Sequence, residues 1–393
     1  MKFKIKLDYL IITCIFLLCI ASCLFIYSSS SINGQYVGAI NFVYKQIIFY
    51  IVGFILIIFI SQLDAKQIKA ISLAMYFILF ISLIGLIFAP ESIARPVNGA
   101  KAWYQIPFIG TFQPSEFLKF SFLIITSWIV VHHNTKYEVH TFKSDILLLL
   151  KIGILTLPPV ILVYIQPDTG MILLYVSMLF PMLFFSGIQK RILISILGIP
   201  LILISFIVTC YLFFHEFYQN KILSLLSPHQ ISRINGWLDP FNHGDSAYQT
   251  KQALLAIGSG EIYGKGFMKN NVYIPEKHTD FIFANIAEET GFLGASVIII
   301  LLFILIFRFV QIALLVNTQF AILLISGIIG LLSFQVFQNV GMTIGLLPVT
   351  GVTLPFLSYG GSSLLSNMML VGIIISIKNS YRYFMFENTG EEE

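Results

Sequence analysis

The stretch PEKHTDFIFANIAEETGFLGASVIIILLFILIF occupies residues 275–307 and changes from polar to apolar within a few positions. About 20 apolar residues cross a bilayer as a helix, so residues 282–307 predict a membrane span. Asp280 then lies at the edge of the membrane. An ionisable group there is costly to bury and usually has a function.

The whole chain has the composition of an integral membrane protein. Of its 393 residues, 57% are hydrophobic and 11% are charged, whereas soluble domains carry about 25% charged residues. The net charge of +4 is too small to indicate a nucleic-acid partner. The four cysteines show neither metal-ligand spacing nor a disulfide framework.

Apolar stretches of membrane length recur ten times along the chain. They predict an all-α integral membrane protein, a single polytopic membrane domain over residues 1–393, with both termini on the same side. The predicted spans are 8–27, 44–63, 70–89, 115–132, 146–165, 170–186, 192–213, 282–307, 318–337 and 360–377.

Lysine and arginine set the predicted orientation, because cytoplasmic ends of spans are enriched in both. With both termini in the cytoplasm, four basic residues fall at outer positions: Lys45, Arg95, Lys101 and Lys119. Thirteen fall at inner ends: Lys2, Lys4, Lys6, Lys66, Lys69, Lys136, Lys143, Lys151, Lys190, Arg191, Arg308, Lys378 and Arg382. The termini, including an acidic tail over 383–393, are therefore predicted to be cytoplasmic.

This orientation places the unusual connections outside. They are the 90–114 loop, the turn at 166–170, a large extracellular loop over 214–280 between helices 7 and 8, and the segment 345–363. The last segment has several glycines and two prolines at membrane depth. Irregular backbone is tolerated there only where it is buried in protein or lines a watery cavity. We therefore expect a cavity that opens outward.

Asp280 admits two compatible interpretations. Asp is favoured as a helix N-cap, and Asp280 directly precedes a predicted helix. A carboxylate on the outer face can also accept a proton from a bound hydroxyl as a general base. Asp168, in the sequence Gln166-Pro167-Asp168-Thr169-Gly170, indicates first of all a cap on the following helix.

Two further acidic clusters have a structural and a functional interpretation. Glu116 and Lys119 are three residues apart on one helix, so they share a face and can form an ion pair. Lys119 could instead face a phosphate from about one turn inside the membrane. Of Glu288 and Glu289, at least one must point into the bundle, because an acid facing lipid costs about 2.5–3.5 kcal/mol. A structural hydrogen bond and a place in a polar cavity both stay open.

Basic residues on the outer side indicate contacts with an anionic group. Lys101, Trp103 and Arg95 form an interfacial aromatic and basic cluster. Glycines and a lysine alternate in Gly258-Ser259-Gly260 and Gly264-Lys265-Gly266, a pattern that could cradle phosphate or simply make turns.

Several segments together resemble the SEDS family of bacterial wall polymerases, the RodA/FtsW/SpoVE group, and are closest to the RodA type. The matching stretches lie in family order and cover nearly the whole chain. They are Asn98-Gly99-Ala100 with Trp103, Gln113-Pro114-Ser115-Glu116 with Lys119, 166–170, 233–240, 252–266, 275–294 and 338–363. The ending Pro355-Phe356-Leu357-Ser358-Tyr359-Gly360-Gly361-Ser362-Ser363 is especially diagnostic.

This resemblance implies a peptidoglycan glycosyltransferase that polymerises lipid II on the outer face of the bacterial cytoplasmic membrane. By position, Asp280 takes the place of the family's essential acid and would act as general base. Undecaprenyl diphosphate would be the leaving group. The reaction would serve cell elongation, division or sporulation.

The same stretches supply the expected substrate-binding residues: Lys101, Trp103, Glu116, Lys119, Asp168, Arg233, Lys265, His278, Ser358 and Ser362. Lys119, Lys101, Arg95 or a divalent cation, Mg²⁺ or Mn²⁺, could neutralise the diphosphate, and the sequence does not choose between them. The resemblance also implies membrane lipid and a class B penicillin-binding protein, a transpeptidase, as partners.

Two other classes of protein compete with the polymerase. Ten helices with an irregular outer segment and buried acids also suit a lipid II flippase or other transporter. The concentration of polar residues on one face disfavours a carrier, which needs polar groups towards both faces. The third class is a non-catalytic scaffold for the penicillin-binding protein.

Overall fold

The computed structural model describes residues 7–29, 39–97, 99–107, 110–226, 228–241 and 244–387. Lys2, Lys4, Lys6, Asn98 and positions 388–393 of the predicted acidic tail lie outside the described residues. The rest of that tail begins within the last helix, which runs to Glu387.

The described chain is almost entirely helical. The helices are α1 Tyr9–Ser29, α2 Ala39–Ile60, α3 Ala65–Phe88, α4 Pro114–Lys136, α5 Phe142–Ile165, α6 Thr169–Phe184, α7 Lys190–Phe213, α8 His215–Phe217, α9 Pro228–Leu238, α10 Gly244–Gly260, α11 Ile282–Val316, α12 Gln319–Thr343 and α13 Gly361–Glu387. A π-helical turn at Tyr218–Ile222 and a 3₁₀ turn at Leu223–Leu225 follow α8. The all-α membrane class is confirmed.

Nine of the helices in the described ranges are long and apolar enough to cross a membrane, and α6 is a shorter apolar helix of 16 residues. Contacts at both ends show how far α6 reaches. Asp168, its N-cap, accepts a hydrogen bond from Gln113 at the start of α4, at 2.8 Å. Ser186, just beyond its end, accepts one from Asn134 near the end of α4, at 2.7 Å. Helix α6 therefore runs alongside most of α4, which supports the predicted ten crossings.

Much of the segment 214–280, predicted as a large extracellular loop between helices 7 and 8, is helical. Helix α10 packs on the start of α11 through a small apolar cluster of Ala253, Ala256, Ile274, Phe281 and Ala284. Helix α9 is amphipathic and is tied to residues 345–349 by Arg233 and Trp237, which donate to the Val349 and Gly345 carbonyls. Burial of these faces explains why the segment folds onto the bundle.

Among the described residues, all β structure lies in the 90–114 connection, including an isolated bridge between Val97 and Ala100. Strands β1 Tyr104–Ile106 and β2 Gly110–Phe112 pair antiparallel. Strand β2 leads directly into Gln113 and α4. The hairpin therefore fixes how α4 begins.

Helix α11 is broken at Gly291, whose φ of 65° and ψ of −164° are not helical. A turn at residues 260–266, which we call the inserted turn, pairs the backbone groups freed by the break. Lys265 N and Gly266 N donate to the carbonyls of Glu288 and Glu289, while Phe292 N donates to Glu261 O. Unpaired backbone groups are costly at membrane depth, so the break is stable only with this turn in place. The glycines here make a turn, the plainer of the two interpretations of their sequence.

Some helices lie at the centre of the bundle, and α7 lies at its edge with few protein contacts. Helices α4 and α13 are largely enclosed by protein, whereas α7 buries only Ile192 and Cys210 among its described residues. Towards the predicted outer side, α1 and α2 hold the irregular segment before α13. Ser22 and Gln46 donate to the carbonyls of Leu357 and Ser358. This segment forms one wall of the cavity described next.

Candidate active site

A cavity of about 260 Å³ opens between the non-helical segments at the predicted outer end of the bundle. Its walls come from the connection before α4, the turn before α6, helix α9, the turn before α11 and the segment before α13. The lining includes Trp103, Gln113, Glu116, Asp168, Arg233, Glu276, Thr279, Asp280, Thr350, Gly351 and Ser362. The outward cavity expected from the 345–363 segment is therefore present.

Asp280 lies on the wall that precedes α11. The predicted N-cap role is wrong: Phe281 occupies that position, and no side chain caps the helix. Residues 275–281 form tight turns, so the helix begins two residues after Asp280 and its carboxylate points to the cavity instead. Burial raises the pKa of Asp280 to about 7, with a further rise from Glu276 and Asp168 and an opposing effect of Arg233.

Arg233 of α9 faces Asp280 and Asp168 across the cavity. Burial lowers its pKa, while both carboxylates act in the opposite direction. One guanidinium nitrogen donates to Val349 O at 3.2 Å. Among the described lining residues Arg233 is the only basic one, so it is the group placed to meet an anion.

Asp168 caps α6, as predicted, by accepting a hydrogen bond from Met171 N at 3.1 Å. Its second oxygen accepts from Gln113 Nε2. Burial raises the pKa of Asp168 to about 6, and the charge of Glu116 adds to the rise. The cap and the place on the cavity wall therefore coexist.

Glu116 and Lys119 form the predicted ion pair, at 2.6 Å. Glu116 lines the cavity, whereas Lys119 is fully buried behind it and has no exposed surface. Lys119 supports Glu116 and does not itself line the cavity.

Comparison with known proteins places this arrangement in a family. The family model described as cell cycle protein, which covers FtsW, RodA and SpoVE, matches residues 8–383. The chain is 32% identical to peptidoglycan glycosyltransferase MrdB of Escherichia coli over 381 residues, covering 95% of this chain and 94% of that protein. It is 30% identical to stage V sporulation protein E of Bacillus subtilis over 390 residues, covering 97% and 99% respectively.

The chain belongs to the FtsW/RodA/SpoVE family. The resemblance expected from the sequence is confirmed, and so is the multi-pass location in the cytoplasmic membrane.

Solved structures share the fold. A chain of a peptidoglycan synthase complex, from work on the coordination of polymerization and crosslinking, matches with a TM-score of 0.74 and 24% identity over 95% of this chain and 98% of that chain. Rod shape determining protein RodA of Thermus thermophilus matches with a TM-score of 0.65 and 24% identity over 95% and 97%.

Other predicted site residues of this FtsW/RodA/SpoVE chain divide into two groups. Trp103 and Ser362 line the cavity, and Ser362 Oγ accepts a hydrogen bond from Gln113 N. Lys101 and Lys265 lie elsewhere. Lys101 donates to the carbonyls of Ile87 and Ala89 at the end of α3, and Lys265 pairs with Glu288 at 2.8 Å.

His278 and Ser358 support the cavity wall from behind. The His278 ring lies 4.6 Å from Phe42 and 5.6 Å from Tyr359, between centroids. Ser358 Oγ accepts from Leu354 N within the segment before α13. Both residues pack or bond within the cavity wall, but neither lines the cavity.

Glu288 and Glu289 both point inward; Glu288 contacts the outer segments, and Glu289 contacts both an outer segment and Ser28 of α1. Glu288 accepts from Lys265, Lys277 and the backbone of Asn271 and Val272. Glu289 accepts from Asn270 at 2.6 Å. These acids hold the inserted turn and the Asp280 turn against α11.

Sequence reasoning missed two polar residues of the cavity region, Glu276 and Asn339. Glu276 lines the cavity with a left-handed φ of 54°, a strained conformation that clusters at functional sites. Asn339 donates to the backbone carbonyl of Asp280. An Asn just beyond the end of an apolar span was a signal for the second; nothing local marked the first.

The described part of the chain offers no group of three or more His, Cys, Asp or Glu side chains that could hold a metal ion. Mg²⁺ keeps waters and substrate phosphate oxygens in its shell and needs only one or two carboxylates from protein. The absence of a larger group among the described residues therefore does not test the expected Mg²⁺ or Mn²⁺, which stays a proposal.

Proposed function

We propose that this chain is a peptidoglycan glycosyltransferase that polymerises glycan strands from lipid II on the outer face of the cytoplasmic membrane, with Asp280 as general base. The observation that carries the proposal is the pairing of Asp280 and Arg233 across one cavity at the membrane edge. A carboxyl with a pKa of about 7 and a cation then face the same space. That is what a reaction with a hydroxyl nucleophile and an anionic leaving group requires.

The reaction transfers one sugar from its lipid carrier to another chain. The 4-hydroxyl oxygen of one sugar attacks the anomeric carbon of the lipid-linked MurNAc, and a new carbon–oxygen bond forms with inversion. Asp280 takes the hydroxyl proton. The bond from the anomeric carbon to the diphosphate breaks, and its electron pair leaves with undecaprenyl diphosphate. No general acid is needed, because a diphosphate already leaves as a stable anion.

Arg233 is the residue we assign to the leaving diphosphate. Its planar guanidinium can bind two phosphate oxygens at once, and its charge is permanent. Of the side-chain cations expected from sequence, Lys119 and Lys101 are engaged by Glu116 and by the end of α3, and Arg95 does not line the cavity. Trp103, Glu116, Asp168 and Ser362 are left to bind the sugars and the carrier.

A class B penicillin-binding protein is the proposed partner that cross-links the product. A fold match to a chain of a peptidoglycan synthase complex supports this assignment. Lipid II and membrane lipid are the small-molecule contacts that the proposal requires.

The test uses the full chain with its cognate penicillin-binding protein in proteoliposomes supplied with labelled lipid II. We expect glycan polymer from the wild type, and at least a thousandfold slower polymerisation from Asp280→Asn, which keeps the shape of the side chain and removes the base. Asp64→Asn is the matched control, since Asp64 is an exposed N-cap of α3 and Asn caps equally well. Unchanged polymerisation by Asp280→Asn would refute the assignment of the base.

The same vesicles separate the competing classes. A flippase would move lipid II across the bilayer without forming polymer. A scaffold would bind the partner, with any polymer unaffected by Asp280→Asn. Polymer that depends on Asp280 in a folded, partner-bound protein excludes both.

A further inference from the structure

One side chain joins the two non-helical walls of the cavity. Asn339 of α12 has no exposed surface. Its Nδ2 donates to the backbone carbonyl of Asp280 at 2.7 Å and to that of Val352 at 2.8 Å. The Asp280 carbonyl belongs to the turns at residues 275–281, and the Val352 carbonyl belongs to the segment before α13.

The orientation of this amide is fixed by its acceptors. A flipped amide would bring Oδ1 against two carbonyl oxygens, and an oxygen cannot donate to either. Both N–H groups are therefore used, each on a different segment. Leaving a buried carbonyl unpaired is costly, so the two bonds constrain both segments firmly.

The two segments meet at the carboxylate itself. A Cβ added at Gly351 would lie 3.6 Å from Asp280 Oδ2, at van der Waals contact. Val349, two residues before Gly351, accepts the hydrogen bond of Arg233. Asn339 thus fixes the base on one wall relative to the wall that holds the cation.

We propose that Asn339 is a positioning residue that sets the distance and direction of the Asp280 carboxylate relative to Arg233 and the attacking hydroxyl. The inference rests on the proposed glycosyl transfer and assigns to it a residue that the sequence did not. Because the amide contacts backbone only, its effect reaches the reaction through Asp280.

A second link between the segments keeps the fold independent of Asn339. Tyr359 N donates to His278 O at 2.9 Å, two residues before Asp280. Without Asn339 the segments should stay together at His278 while the end that carries Asp280 loosens. A displacement of about 1 Å in a reacting group can slow a reaction about 100-fold.

The test compares Asn339→Leu with wild type in the lipid II assay. We expect kcat to fall about 10- to 100-fold and KM to change less than threefold. We also expect the acidic limb of the pH–rate profile to move by at least half a pH unit. The limb reports the balance of the charges that face Asp280, which are Glu276 on its own turn, Arg233 on α9 and Asp168 before α6.

The control is Gln335→Leu, one turn away on the same helix, because the Gln335 amide has no hydrogen-bond partner among the described residues. It should polymerise at the wild-type rate. Thermal unfolding and co-purification with the partner show whether Asn339→Leu folds. If it does not fold, Asn339→Gln decides. This variant keeps both donors but shifts them by one methylene, and a moved acidic limb supports the proposal.

Failure of this inference and failure of the proposed function give different results. No polymer from the wild type, or full activity of Asp280→Asn, refutes the function. With those two behaving as expected, Asn339→Leu is decisive. The positioning role is overturned if both the pH profile and kcat are unchanged. It is also overturned if KM rises while kcat stays at the wild-type value.

Discussion

Asp280 combines two environments that usually exclude each other. It lines an open cavity, yet enough protein surrounds its carboxylate to raise its pKa to about 7. A base with a pKa near the working pH is ionised often enough to act and still accepts a proton readily. Glu276 contributes to that value from a strained backbone position on the same turn.

The activity should therefore depend on pH with a single acidic limb near pH 7. Below that value Asp280 is protonated and cannot accept the hydroxyl proton, so the rate should fall about tenfold per pH unit. Initial rates of lipid II polymerisation between pH 5.5 and 9 measure this limb. A flat profile across that range would contradict the assignment of Asp280 as base.

The stability of the protein should change in the opposite sense. The folded state holds the Asp280 proton more tightly than the unfolded state, so stability from this group is full below about pH 4 and declines as pH rises towards about 7. Asp280→Asn, which removes the ionisation, should then unfold at a higher temperature than wild type at pH 8, and this difference should shrink as pH falls towards about 4. This comparison also verifies that the inactive variant is folded.

At the scale of elements, the broken helix α11 and the inserted turn form one unit. Without the inserted turn, the break in α11 would leave the carbonyls of Glu288 and Glu289 unpaired. Lys265 and Lys277 add ion pairs to Glu288. Lys277 lies three residues before Asp280. The unit therefore anchors the start of the turns at residues 275–281, while Asn339 anchors the end of the same turns.

Gly264→Ala should disrupt this unit. Gly264 has a φ of +80°, and an added Cβ would overlap the backbone carbonyl of Glu289. Both effects are backbone effects that no side-chain movement relieves, so we expect a loss of at least about 2 kcal/mol in stability and a lower thermal midpoint. Thermal unfolding of the purified chain in detergent is the measurement.

Gly258→Ala provides the matched control. Gly258 is in α10, six residues earlier, and an added Cβ there meets nothing within 4 Å. Ala is a better helix former than Gly by about 1 kcal/mol, so this variant should be as stable as wild type or more so. Equal midpoints for the two variants would mean that the inserted turn is not held as described.

At the scale of the whole molecule, charge is distributed unevenly between the two ends. The end opposite the cavity carries a buried network in which Asp8 accepts from Arg308 and Lys378. Burial alone would raise the pKa of Asp8, but these two cations outweigh it and lower the value. Asp8 therefore stays ionised at neutral pH and ties α1 to α11 and α13.

The orientation that this asymmetry predicts can be measured with single cysteines. In a chain whose four native cysteines are replaced, Glu91→Cys in the connection after α3 should react with a membrane-impermeant maleimide in intact cells. Glu138→Cys, between α4 and α5, should react only after lysis. Both native side chains are exposed, so accessibility is matched, and the reverse pattern would invert the topology.

Much of the fold could be predicted because its signals are local. Runs such as 282–307 are long and apolar, and lipid forces backbone groups to pair within the run. Spacing alone also predicted the Glu116–Lys119 pair and the Asp168 cap. The α9 and α10 helices could not be predicted in this way, because burial against α11 and residues 345–349 stabilises them.

The sequence by itself determined the membrane class, the family and the acid at the membrane edge. Hydropathy, charge at helix ends and ordered motifs are all readable along one chain. Only the tertiary structure decided which cation shares a cavity with that acid, that Lys101 and Lys265 bind elsewhere, and that Asn339 donates to the Asp280 backbone. Those outcomes depend on contacts between segments far apart in sequence, and distance in space is the one quantity that a linear pattern does not carry.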